Sequence, residues 1–129
     1  MMIRSKINTS LTIDYLTNTP ENLYLDRKRA KVSLQDLANE IASFANANGG
    51  VIAVGITDSG IIEGFNLYGL KKLNDCQKVV SGYLNPSPIY ECELINIKNQ
   101  KNENDNILLF HIEPAINYIV RNNKDEVYC

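Results

Sequence analysis

Apolar positions along this chain change their spacing from segment to segment, and the spacing predicts the elements. Leu34, Leu37, Ala38, Ile41, Phe44 and Ala45 recur at three- and four-residue intervals, the period of an amphipathic helix. Ser33 is placed to cap that helix with Asp36 completing a capping box, and Asn48-Gly49-Gly50 ends it, with Gly49 the natural left-handed stop. The next run, VIAVGIT, is short, apolar and β-branched, as expected of a strand buried on both faces. Asp58-Ser59-Gly60 then turns the chain, and IIEGF is expected to pair back as a hairpin partner.

The flanking segments follow the same logic. TSLTIDYLT, with its hydroxyl caps, predicts a short helix or turn closed by Pro20. Leu23 to Val32 predicts a strand, with Leu23 and Leu25 on one face and Tyr24, Asp26 and Lys28 on the other. Leu70, Leu73, Val80 and Leu84 mark a second helix over 70–84, stopped by Asn85-Pro86-Ser87-Pro88. YECELINIK and NILLFHIE read as two strands joined by the polar loop NQKNEND, and a last strand is expected from Glu126. The order is β-α-β-β-α-β-β-β, which predicts an α+β fold with a mixed β-sheet and two main helices.

At 129 residues, 44% hydrophobic and 22% charged, the chain suits one globular domain. It stops within an apolar run, Val127-Tyr128-Cys129, so residues 1–129 are expected to be an N-terminal excerpt of something longer. No apolar run exceeds four residues, as in Val51-Ile52-Ala53-Val54, so no membrane partner is expected. MMIRSKINTS lacks the apolar stretch of a secretory leader. Three widely spaced cysteines, Cys76, Cys92 and Cys129, suit free thiols in a reducing interior, and a cytoplasmic location is the expectation.

The net charge of −2 excludes a globally basic binder of nucleic acid, so any phosphate-binding surface must be local. Arg27, Lys28, Arg29 and Lys31 form the one concentrated basic stretch, with Lys71 and Lys72 a weaker pair. Within the same stretch, Asp26 and Lys28 project from one strand face, an arrangement used for metal-dependent phosphodiester cleavage. Glu21 just before the strand and Asp58 after VIAVGIT complete a candidate trio of ligands for Mg²⁺ or Mn²⁺, with Lys28 as electrostatic helper. The plainer alternatives are an exposed ion pair at Asp26 and a turn-forming role for Asp58. His111 stands mid-strand without a Cys or His at metal spacing, so zinc is not expected.

Taken in order, Glu21-x4-Asp26-x-Lys28, Phe44-Ala45-Asn46-x2-Gly49-Gly50 and Val54-Gly55-Ile56-x-Asp58-x-Gly60-x3-Gly64 resemble the Schlafen-type AlbA-like domain, over nearly the whole chain. The resemblance implies a structural role for Phe44, Asn46, Gly49, Gly50 and Gly55. It implies the N-terminal domain of a bacterial transcriptional regulator, of the kind also labelled divergent AAA, with DNA or RNA as partner. It also implies a second reading, since animal members cleave RNA with acids at the positions of Glu21, Asp26 and Asp58. Here the family's second Glu-Phe is replaced by Asp26-Arg27, which favours binding over catalysis and leaves the enzyme question open. An oligomerisation module, for instance a homodimer, is the third reading. On the first reading, the basic residues Arg27, Lys28, Arg29, Lys31 and Lys71 are the expected nucleic-acid contacts.

Overall fold

A computed structural model describes residues 9–129, with side chains from residue 13 onward. The leading residues 1–8 and the hydroxyl caps expected near residue 9 lie outside the described residues and side chains. The elements are α1 (Thr9–Asn18), β1 (Leu25–Lys28), α2 (Leu34–Ala45), β2 (Gly50–Val54), α3 (Gly69–Gln77), α4 (Val79–Tyr83), β3 (Leu84–Asn85), β4 (Tyr90–Lys98), β5 (Asn104–Ile112) and β6 (Arg121–Asn122). This is the expected mixed α+β architecture. Four strands form one sheet in the order β1-β2-β5-β4, and β3 pairs with β6 in a second, two-stranded sheet. β1 runs parallel to β2, while β5 is antiparallel to both β2 and β4. No helix among the described residues is long and apolar enough to cross a membrane.

Strand parity divides the core into two layers. Ile52, Val54, Leu108, Phe110 and Ile112 face the apolar sides of α2, α3 and α4, while Leu25, Ala53, Ile95, Ile107 and Leu109 pack against Leu16 of α1 and Ile56. β2 and β5 are thus covered on both faces, as the unbroken apolar runs VIAV and ILLF require. On α2, Ser33 Oγ accepts the Asp36 N–H at 3.0 Å, and Leu37, Ala38, Ile41, Ala42, Phe44 and Ala45 are buried. The helix ends where Gly49 turns left-handed (φ 73°) and donates its N–H to Phe44 O at 2.8 Å. A Cβ on Gly49 would lie 2.5 Å from Ile112 O, so the stop and the start of β2 admit no larger residue.

Four expectations are corrected. β1 is only Leu25–Lys28, and Leu23 is 77% exposed. Asn22 turns the chain there, accepting the Tyr24 N–H through its side chain and exchanging backbone bonds with Leu25. The second helix is two, α3 and α4, broken at Lys78, and Leu70 is solvent-facing because burial falls on Leu73, Cys76, Val79 and Val80. The last strand is Arg121–Asn122, and the segment from Glu126 makes only a single bridge, Val127 to Arg121; the Asn122 side chain accepts the Lys124 and Glu126 N–H groups and turns the chain back.

The fourth correction concerns IIEGF, which makes a single bridge, Ile56 to Ile62. Asp105 draws the rest of that segment aside. Its buried carboxylate accepts the Phe65 N–H at 2.7 Å, the Asn66 N–H at 3.1 Å and the Asn99 amide at 2.9 Å. Gly64 packs directly on this carboxylate, where any Cβ would collide with it.

Arg27 is the other internal tie. Its residue is 4% exposed, its Nε donates to Leu16 O at 2.6 Å, and its Nη atoms donate to Thr19 O and Asp58 O. Two of those carbonyls come from the end of α1, where a helix leaves acceptors without partners. Here a guanidinium from the neighbouring strand supplies the donors and joins α1, β1 and the 57–60 turn.

Two outcomes follow from these ties. Burial raises the Asp105 carboxyl, but the Asn99 amide and the N–H groups of Asn106, Phe65 and Asn66 outweigh burial and hold it below its ordinary value. Because the folded value is depressed, its contribution is present above the unfolded value of 3.8 and is lost as pH falls through the folded one. Asp105→Asn is expected to lower stability at pH 7 by about 2 kcal/mol, with the gap to the parent closing in urea titrations at pH 3. Arg27→Lys, which cannot span three carbonyls, is expected to cost about 2 kcal/mol. Hydrogen exchange should show protection lost first in α1, with α2 retaining it.

Candidate functional site

β1 and β2 are parallel, so both present their carboxyl ends at the same edge of the sheet, the usual place for a ligand crevice in such sheets. There an open groove of about 550 Å³ is lined by Arg27, Lys28, Arg29, Lys31, Val32, Thr57, Asp58 and Ser59. The floor is held by Gly55, whose N–H donates to Lys28 O at 2.7 Å. The Thr57 and Ser59 hydroxyls lie 3.1 Å apart on one wall, and the N-terminus of α2 follows directly from the other.

Lys28 links this groove to a carboxyl cluster. Its Nζ lies 3.2 Å from Asp26 Oδ2 and 3.5 Å from Glu40 Oε1. Burial pulls the Lys28 ammonium down, but Asp26 and Glu40 together outweigh it and raise it above its ordinary value, so it stays charged. Asp26 Oδ2 is buried, with this ion pair but no aligned hydrogen bond. Glu21 Oε2 accepts the Arg27 N–H at 2.7 Å. A hydrogen bond with the Asp26 carboxyl, reinforced by burial, raises Glu21 above its ordinary value despite that N–H. The carboxyls of Glu21 and Asp26 therefore act on each other.

Asp58 does not join them. Its side chain is exposed in the turn, and it is its backbone carbonyl that receives Arg27. Among the described residues no group of three or more His, Cys, Asp or Glu is placed to hold a metal. An ammonium already lies between Asp26 and Glu40. The donor set as arranged does not fit a divalent cation, and no metal-dependent step is assigned to it. His111 is buried, with Nε2 3.3 Å from Glu93 Oε1.

The basic residues also separate. Arg27, expected to contact phosphate, is corrected to an interior residue whose donors are spent on backbone carbonyls. Arg29 is 42% exposed and grips Glu63, with Nη2 2.6 Å from Oε2; that bond raises its already high value. Lys31 is exposed on the groove rim, and no carboxylate among the described residues pairs with it. Lys71 is on α3, outside the groove lining, and pairs with Asp75 at 2.8 Å. Its neighbour Lys72 comes nearer, donating to Val32 O at 2.5 Å and tying α3 to the groove wall.

Sequence reasoning missed Glu40 and Glu63, and it placed Lys72 only in a weaker basic pair with Lys71. Glu40 carried a signal, since it flanks the apolar face of α2 next to Ile41; the contacts of Glu63 and Lys72 carried none, because their partners are distant in sequence. The expected structural residues serve as framework. Asn46 accepts the Val120 N–H at 2.9 Å and donates to Val120 O and Tyr128 O, stitching the C-terminal segment to the end of α2. Phe44 is buried, its ring placed where a Cβ on Gly50 would come within 2.8 Å.

Comparison with curated proteins finds no match. Among solved structures, the chain is similar to the crystal structure of the DIP2311 protein from Corynebacterium diphtheriae, with a TM-score of 0.55 and 18% identity over 81% of this chain. At that identity the likeness concerns the fold. The present chain corresponds to 20% of that protein's chain. A family model described as Schlafen, AlbA_2 matches residues 21–129, which takes in the carboxyl pair, the groove and the Asn46 framework. The chain belongs to the Schlafen AlbA_2 family.

Proposed function

We propose that this domain binds nucleic acid by its phosphate backbone, as the nucleic-acid-binding part of a bacterial transcriptional regulator. The observation that carries the reading is the groove at the ends of β1 and β2, with Lys28, Arg29 and Lys31 beside the Thr57 and Ser59 hydroxyls. Cations supply sequence-independent attraction, and hydroxyls fix the register of phosphate oxygens. Lys31 is the leading contact because no acid among the described residues competes for it. Arg29 can engage a phosphate in place of Glu63, since its guanidinium is part-exposed. Lys28 stays with Asp26 and Glu40 and adds field at the back of the groove.

Residues Glu21 and Asp26 favour a second reading, a metal-dependent endoribonuclease, by their proximity to each other and to Lys28. Their arrangement with Lys28 argues against it, for the reason given above. One assay separates the two. The purified chain is incubated with tRNA and with short DNA, with and without Mn²⁺, and binding and cleavage are read on one gel. Binding without cleavage is expected. Cleavage that needs Mn²⁺ and vanishes in Asp26→Asn would replace the binding reading with the enzymatic one.

Salt and pH give finer expectations. Removing two phosphate contacts with Arg29→Ala and Lys31→Ala should flatten the slope of log affinity against log salt by roughly 1.5; an unchanged slope would remove this groove from the interface. The raised value of Glu21 means that it gains a proton, and loses its negative charge, sooner than an ordinary glutamate as pH falls. Affinity should therefore rise in the parent as pH falls from 7 toward the ordinary glutamate value of 4.5, and Glu21→Gln should bind more tightly at pH 7 with less dependence on pH.

A further inference from the structure

β4 stands at the edge of the main sheet, and among the described elements it pairs with β5 alone. Glu113 N–H donates to Ile89 O and Asn99 N–H to Glu103 O, both at 2.9 Å. These bonds flank the β4–β5 ladder and set its phase. The odd-numbered residues of β4 bond inward to β5, so Tyr90, Cys92, Leu94, Asn96 and Lys98 turn their N–H and C=O groups outward. All nine residues of β4 pair in continuous register with β5, without proline or bulge. Proline, a bulge and a short length, devices that spoil an edge, are absent from β4, its charges lie away from the centre, and there Leu94 is 45% exposed. β1, at the other edge, is four residues long and carries Asp26 and Lys28.

We propose that the β4 edge pairs with the β4 edge of a second copy of this chain, antiparallel about a two-fold axis at Leu94. The side-chain order of β4 accommodates a self-partner, and this register is the one that covers the exposed Leu94 with its own copy. Acids lie only in its first half, at Glu91 and Glu93, and the lysine only at its end, at Lys98. Antiparallel pairing about Leu94 sets Tyr90 against Lys98 of the second copy, Cys92 against Asn96, Glu93 against Ile95 and Glu91 against Ile97. No like charges oppose each other, and the central pair is leucine on leucine. A register centred on Glu93 would oppose two carboxylates. Because the register sum is even, each sheet face continues across the axis, giving one eight-stranded sheet with a groove at either end. The surface lies apart from the groove, so its failure and the failure of the binding reading are separate results.

Sedimentation equilibrium of the full chain over a hundredfold range of concentration tests the pairing. The parent is expected to dimerise reversibly. Leu94→Lys and Leu94→Glu, which oppose like charges at the axis, should each shift to monomer with folding intact by circular dichroism, and mixing the two should restore a dimer. A parent that stays monomeric overturns the proposal, as does a Leu94→Lys chain that still dimerises. A mixture that fails to associate overturns the register. Hydrogen exchange on the parent gives a reading independent of any variant. The amides of Tyr90, Cys92, Leu94, Asn96 and Lys98 should gain protection as concentration rises, while those of Ile95 and Ile97 stay protected throughout. Equal exchange of both sets at high concentration would overturn it.

Discussion

The pairing of β2 with β5, Ile52 against Phe110 and Ala53 against Leu109, decides the direction of the side chains that matter in the rest of the domain. Both strands are apolar on both faces, so the sheet must be covered on each side, by α2, α3 and α4 on one and by α1 and the segment after β2 on the other. β1 joins β2 with Arg27 beside Ala53 and Lys28 beside Val54. That register alone sends Arg27 into the layer under α1 and Asp26 and Lys28 toward α2. A slip of one residue would exchange them, placing two charges beneath α1 and the guanidinium against the helix. The chemistry of the site is therefore a consequence of core packing in a neighbouring strand pair.

From that register the two functional clusters acquire different characters. On the α2 side, Lys28 compensates Asp26 and Glu40, and the Asp26 carboxyl raises that of Glu21, so the ammonium is paired within the cluster. At the strand ends, Arg29, paired with Glu63, and Lys31 follow β1 as it turns toward Ser33, and they are the exposed cations of the groove lining. In this way a net acidic domain keeps a few basic groups at one rim, by setting its acids against buried or neighbouring cations.

Much of this was legible in the sequence where the signal is local. α2 could be read from its period and caps, the ends of β4 agreed to the residue, and β2 and β5 followed from apolar runs between turn residues. The failures share one cause. Arg27 reads as surface cation by residue type, and only the carbonyls of Leu16, Thr19 and Asp58, brought from two other segments, make its burial tolerable. The hairpin after β2 fails because β1 and β5, from distant segments, occupy both edges of β2, while Asp105 takes the Phe65 and Asn66 N–H groups. Of the three acids, Glu21 and Asp26 lie together because their separation is set within one turn and strand, while Asp58 stands apart because its side-chain direction depends on the 57–60 turn.

The contact between Gly64 and the Asp105 carboxylate also restricts how this sequence can drift. Neither position has a nearby neutral neighbour. Any side chain at 64 meets the carboxylate, and any replacement at 105 that relieves the clash abandons the backbone N–H groups of Phe65 and Asn66. Evolution must change the two together or leave both alone. Positions far apart along the chain thus behave as a single inherited character, and a paired change there would mark a rebuilt loop more surely than a substitution at either position.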